Sequence, residues 1–327
     1  MPPWIWHLNW TSVMILYNQI KPITVSLFAA LLLLVNPLLN AKELGLNDCR
    51  ALEISQRTAG KTLEYSNALL WRVSKSNMPT SHIYGTIHVS DPDVTTLPDE
   101  VSTVLLDADV FTMEALPDDQ QLLKFSEMMF FNDGTTLRDF LDEKLFERTA
   151  EILSDHQFTT EMVLFLKPWA AFLIMNYPPD DGLPLDFQLL NTAQENGARI
   201  TALETLEEQG QIFGGMALES QLRLLLDSVC HYEVIEEDFE VMKSYYLDRN
   251  LNDLYVYSNQ YTIANEKLYK DLVKRLLSDR NHTMVERMQD ILKEGNAFIA
   301  IGAMHLPGPE GVLALLASKG FTITPVY

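Results

Sequence analysis

The chain has 327 residues, 47% of them hydrophobic and 21% charged, and its mean hydropathy is −0.01. It can therefore bury a sizeable core, and its composition is neither that of a disordered segment nor that of a polytopic membrane protein. The formal net charge of −21, without a basic stripe, repels nucleic acid and anionic lipid and argues against a nucleic-acid partner.

Taken in chain order, the first feature is apolar. Residues 22–39 (PITVSLFAALLLLVNPLL) carry no charge, Lys21 stands directly before them, and Leu39-Asn40-Ala41 ends in a small residue. A basic flank, a short apolar core and a small exit residue describe a secretory signal peptide over residues 1–41. The alternative is a membrane anchor over 22–39, but that stretch is marginal for spanning and Pro37 would disturb a helix in it. Thirteen residues before Met14 are long for such a start, so Met14 is a candidate initiator. The remainder, 42–327, is expected to be a single domain in a periplasmic or secreted protein, with no stable membrane insertion after cleavage. It holds 23 basic against 45 acidic residues, a net charge of −22.

Six short β-prone runs follow, at 69–73, 82–86, 110–115, 198–203, 297–301 and 321–326, mostly bounded by turn residues such as Gly134, Gly197, Gly295 and Gly320. Thr136 reads as the hydroxyl cap of a helix, 161–177 as a buried helix interrupted near Pro168, and 183–196 as another helix. From 203 to 295 the pattern is almost wholly helical: Leu218, Leu222, Leu225, Leu226 and Val229 recur at helical spacing, as do Leu272, Val273, Leu276 and Leu277. A last helix is expected at 311–319. These elements predict an α/β (mixed α+β) fold, a mixed central sheet of about six strands surrounded by helices, with a largely helical middle segment.

Two cysteines occur, Cys49 and Cys230. In an oxidising compartment they are candidates for a disulfide; spacing alone leaves two free thiols equally open.

Among six histidines after residue 41, two share a context: Ser-His-Ile-Tyr-Gly85-Thr-Ile-His88 and Phe-Ile-Ala-Ile-Gly302-Ala-Met-His305 each end an apolar run in Gly-x-x-His. Such a glycine lets the backbone turn or approach a neighbour closely, and the imidazole then projects from the rim of a sheet, where ligands bind in many α/β folds. Either motif alone is more simply a capping histidine bonded to backbone, but the repetition points to one site, where imidazole can bind a metal or move a proton. Glu114 ends a third apolar run, VFTMEA, and a carboxylate there faces a site or an ion pair. Two histidines and a carboxylate suit a divalent metal ion that activates water for hydrolysis. Arg280, expected to start a helix before the last motif, could hold a substrate carboxylate, stabilise an oxyanion or orient Glu114; a surface cation is the plainer alternative. Asp186 and Glu204 end or follow apolar patterns with weaker claims, while His82, His156, His231 and His282 read as structural or exposed.

These segments together are similar to the TraB/GumN family, related to the TIKI proteases that act on secreted signalling proteins. The resemblance runs from about Leu69 to Tyr327 through IYGTIHVSDPDVTTLP, VFTMEA, GLPLDFQLLNTAQENGARITALET, SDRNHTMVERM and AIGAMHLPGPEGVLALLASKGFTI. It implies a shared site of His88, Glu114, Arg280 and His305. TIKI relatives resemble metal-dependent peptidases, and more distant ones include erythromycin esterases and haem-binding proteins, so metal use and catalysis vary. Ser90 and Asp91 stand where a glycine is common, which implies a different loop after His88. The function expected is an exported metal-dependent hydrolase, peptidase-like, acting on a peptide or protein, with His88, His305 and Glu114 as metal ligands and Glu114 and Arg280 as catalytic groups. The alternative is a non-catalytic peptide- or haem-binding periplasmic protein using the same site. Exported protein is expected to begin at Lys42 on N-terminal sequencing; material that retains residues 22–39 and needs detergent for extraction would establish the anchor instead.

Overall fold

The six apolar runs become strands of one sheet in the computed structural model, which describes residues 43–50, 53–54, 62–177, 182–258, 261–262 and 266–327. The signal-peptide, anchor and start-site expectations lie outside the described residues. The strands are β1 (Leu70–Ser74), β2 (Ser81–Thr86), β3 (Val110–Ala115), β4 (Arg199–Glu204), β5 (Ala297–Gly302) and β6 (Thr322–Pro325). Their order across the sheet is β4-β3-β5-β2-β1-β6. The first four are mutually parallel, and β1 runs antiparallel to both β2 and β6. The fold is thus α/β, a mixed sheet surrounded by helices. Near-continuous apolar runs suit strands covered on both faces, and Phe111, Ile83, Phe298, Ile299 and Ile301 are fully buried.

Among the described residues two compact units are found, one taking 43–50, 119–177 and 213–232, the other 53–54, 62–118, 182–212, 233–258, 261–262 and 266–327. The second unit holds the sheet. The first is helical, with Glu143–Asp155, Thr160–Phe165, Pro168–Met175 and Leu218–Cys230 among its helices. Pro168 divides the 161–177 run as expected, because proline occupies the first turn of the second helix rather than an interior position. Trp169 stacks on Phe213 with ring centroids 6.3 Å apart, and Leu145, Phe146, Leu153, Leu222, Leu224, Leu225 and Leu226 supply much of the apolar packing.

Two expectations need correction. Thr136 does not cap a long helix: only the single 3-10 turn Leu137–Asp139 follows it, and the helix begins at Glu143, where Asp142 Oδ1 accepts from the Leu145 amide at 2.8 Å. Arg280 does not open a helix either. The segment is already helical from Glu266, passes through the π-helical turn Lys274–Ser278, and continues as Asp279–Glu294.

Within the first unit Cys49 and Cys230 form a disulfide, their Cα atoms 5.8 Å apart. It pins the segment before residue 50 to the end of helix Leu218–Cys230, and Arg223 Nη1 adds a bond to the Asp48 carbonyl at 3.2 Å. Closing a 181-residue separation restricts the unfolded chain by about 5 kcal/mol in the chain-entropy account. A Cys49→Ser/Cys230→Ser double variant is expected to unfold at lower denaturant, with a stability loss of up to about that size; an unchanged midpoint would show that the link contributes nothing.

Candidate functional site

Parallel strands deliver their carboxyl ends to one edge of the sheet. In register, Thr86 of β2 lies beside Gly302 of β5, Met113 of β3 beside Ala300 of β5, and Ala115 of β3 beside Glu204 of β4. The neighbouring strands β2, β5, β3 and β4 therefore bring His88, His305, Glu114 and Glu204 to the same rim, although His88 and His305 are 217 positions apart in sequence.

Neither motif glycine has a positive φ, so turning is not what requires them. Space is. A Cβ on Gly85 would lie 2.7 Å from Leu306 Cδ1 and 3.1 Å from Ala303 Cα, so the first motif is glycine because the second packs on it. A Cβ on Gly302 would come within 3.2 Å of Glu114 Oε1 and 3.5 Å of His305 Cδ2. Tyr246 completes the support, its hydroxyl donating to the Gly85 carbonyl at 2.9 Å.

Each histidine is held through Nδ1. His88, with 42% of its side chain exposed, bonds to Oδ2 of the buried Asp186 at 2.7 Å, and Thr86 Oγ1 donates to the other oxygen at 2.6 Å. Asp186 is placed by helix Leu185–Glu195, whose first amide donates to the Val89 carbonyl just after His88, at 2.9 Å. His305 is buried in the 3-10 turn Ala303–His305 that ends β5 and bonds through Nδ1 to Asn281 Oδ1 at 2.6 Å. Its Nε2 lies 3.6 Å from Glu114 Oε1.

Glu114 is saturated by donors on its other sides. Oε1 accepts from the Gly302 amide at 2.7 Å, and Oε2 accepts from Arg280 Nη2 and from Gln209 Nε2, the latter at 3.2 Å. Arg280 also grips Glu204, through Nη2 at 2.7 Å and Nε at 3.1 Å, and donates from Nη1 to the Leu276 carbonyl inside the π-helical turn at 3.2 Å. Of the three roles open to Arg280 in the sequence, the contacts match the one that orients Glu114. The second-tier pair lies next to the principal residues, Asp186 against His88 and Glu204 against Arg280.

The charges follow from these contacts. Burial alone would raise the Glu114 carboxyl, but His305, Arg280, His88 and the Gly302 amide overcome it and hold it down at about 2. Burial, with Arg280 and His88 adding to it against the pull of Glu114, pushes His305 down to about 4. Burial likewise works against the Arg280 charge, yet Glu114 and Glu204 keep the guanidinium more firmly protonated than usual. At neutral pH the site holds an ionised Glu114, a charged Arg280 and a neutral His305.

Asn281 and Gln209 were not singled out by sequence. Asn281 adjoins Arg280 and was open to notice on that ground; Gln209 sits in a polar run, LEEQGQ, that carries no signal. The residues expected to be unremarkable are placed so: His156 is buried, His82 half-buried, His231 Nε2 meets the Arg50 carbonyl at 2.8 Å, and exposed His282 pairs with Glu310 at 2.9 Å.

The fold and this rim define an α/β protein whose polar site gathers at the carboxyl ends of parallel strands. The chain belongs to the TraB/PrgY/gumN family, which it matches over residues 69–325. It is also 23% identical, over 241 residues covering 71% of this chain and 86% of that protein, to "Uncharacterized protein YbaP" of Shigella flexneri. No solved structure matches. Replacing Arg280 by methionine leaves Glu114 and Glu204 buried without their cation, so Arg280→Met is expected to cost about 3–5 kcal/mol of stability in chemical denaturation. A loss below about 1 kcal/mol would show that water already solvates the carboxylates.

Proposed function

We propose that this protein is an exported metal-dependent hydrolase of peptide-like bonds, in which His88, His305 and Glu114 hold a divalent cation. One observation carries the reading. Asn281 Oδ1 is an acceptor, so His305 Nδ1 carries the ring proton and Nε2 presents a lone pair to Glu114 Oε1, 3.6 Å away. Two acceptors facing each other repel unless a proton or cation lies between them, and neutral imidazole with carboxylate is a donor set suited to a divalent transition metal. Among the described residues no three His, Cys, Asp or Glu side chains form a ready-made metal cluster. The facing pair, with His88 as the third donor, is therefore the basis of the proposal.

A bound cation would supply Lewis acidity towards a scissile carbonyl and acidify a water molecule. The protein's own residues prepare the place. Asp186 and Asn281 hold the two imidazoles, and Arg280 with Gln209 fixes the far oxygen of Glu114. His88, the more exposed histidine, is the one a substrate can reach. Export agrees with the disulfide, which suits an oxidising compartment, and with the signal-like residues 1–41. Among the described residues no helix is long and apolar enough to cross a membrane.

Purified protein is expected to carry or take up one equivalent of zinc or another divalent ion and to cleave peptides in a chelator-sensitive way. His305→Ala should weaken zinc binding by more than the ~10–100-fold that follows loss of an outer partner, with the melting transition retained. Stoichiometric metal that survives His305→Ala, or no uptake at all, would defeat the proposal. A Soret band from bound haem would instead establish the binding protein.

A further inference from the structure

Asn281 is buried, only 3% exposed, next to the inward-facing Arg280 on helix Asp279–Glu294. A buried amide has to satisfy both of its ends. Its Nδ2 donates to the Glu310 carbonyl at 2.7 Å, which orients the amide and turns Oδ1 to His305 Nδ1, 2.6 Å away. That carbonyl belongs to the tight loop after His305. There Gly308 adopts φ +88°, the Gly311 amide bonds back to the Gly308 carbonyl at 3.0 Å, and a Cβ on Gly311 would lie 2.4 Å from the Leu306 carbonyl oxygen. Backbone geometry therefore sets the amide, and the amide sets the ring.

The first motif has the same construction with different residues. His88 Nδ1 meets Asp186 Oδ2, and Asp186 is oriented by Thr86 Oγ1. Each imidazole is thus bonded to an acceptor that is itself held by a second group. The acceptors differ in kind, carboxylate on the half-exposed ring and neutral amide on the buried one. A second carboxylate at His305 would sit beside Glu114 in a site already holding Glu204, whereas an amide accepts the same hydrogen bond without adding charge.

We propose that Asn281 is a positioning residue, fixing His305 as the Nδ1–H tautomer and directing its Nε2 at Glu114. The functional consequence rests on the hydrolase reading above; the tautomer is a property of the chain alone, so it can hold in a protein that takes up no metal. Ring-15N NMR of the full-length protein near neutral pH is expected to show His305 with a protonated Nδ1 and an unprotonated Nε2. The opposite assignment in the unaltered protein overturns the proposal before any variant is made. In Asn281→Leu the ring should redistribute between tautomers while the His88 resonances and melting transition persist, and Asn281→Asp, which keeps an acceptor for Nδ1 but loses the donor to the Glu310 carbonyl, should restore the Nδ1–H form in part. Titrated with zinc alone, Asn281→Leu should bind about 10–100-fold more weakly and Asn281→Asp should recover part of that. An unchanged tautomer in Asn281→Leu overturns the assignment whatever its zinc affinity. A shifted tautomer in a protein that takes up no zinc upholds Asn281 and removes the metal reading instead.

Discussion

The guanidinium of Arg280 lies between Glu114 and Glu204, two carboxylates carried on neighbouring parallel strands to the same end of the sheet. Buried and side by side, the two carboxylates would repel each other and lose hydration that the Gly302 and Gln209 amides replace only in part. One planar fork facing both changes the sign of that interaction. The rest of the rim depends on it, because Glu114 aimed by Arg280 and Gln209 on one oxygen presents the other to Gly302 and His305. A buried ion pair is weak evidence of net stability, but it specifies geometry strongly, since any shift of helix Asp279–Glu294 would leave charges uncovered. The π-helical turn before that helix is part of the same arrangement: its Leu276 carbonyl takes the remaining Arg280 donor.

The two Gly-x-x-His motifs meet this cluster through the sheet. Parallel pairing of β2 with β5 puts the motif ends together, and the glycines remove the Cβ atoms that would otherwise separate them. Gly85 admits the Leu306 side chain and Ala303 backbone; Gly302 admits Glu114 and the His305 ring. Close approach, and not a left-handed backbone, is the physical reason for glycine at both positions.

Electrostatics divides the histidines. His305 is buried near Arg280, which together with lost hydration keeps it neutral, while His88 is partly open to solvent and bonded to a carboxylate. Two rings in similar motifs therefore differ in access and in the partner that holds Nδ1. The acidic surface of the whole chain, net −21, would draw cations towards such a rim and repel polyanions.

Much of this was open to reading in the amino-acid order. Apolar runs bounded by turn residues located the six strands of the main sheet to within a residue or two; the central ones are covered on both faces and must be apolar throughout, while the edge strands are betrayed by their flanking turns. The repeated Gly-x-x-His, the carboxylate ending VFTMEA and the cysteine count nominated the residues later found at the rim or in the disulfide. What order alone left open was pairing. Thr136 and Arg280 were misread as helix starts because local capping signals compete with longer-range packing, and a π-helical turn leaves no periodic trace that separates it from an α-helix. Gln209 and Thr86 carry no signal as site residues and Asn281 only its place beside Arg280, since an amide or hydroxyl becomes informative only when burial forces it to find a partner. Which acceptor faces which imidazole, and which carboxylates share one guanidinium, was decided by the tertiary structure. Those contacts join residues 24 to 188 positions apart, and only the closed sheet sets their distances.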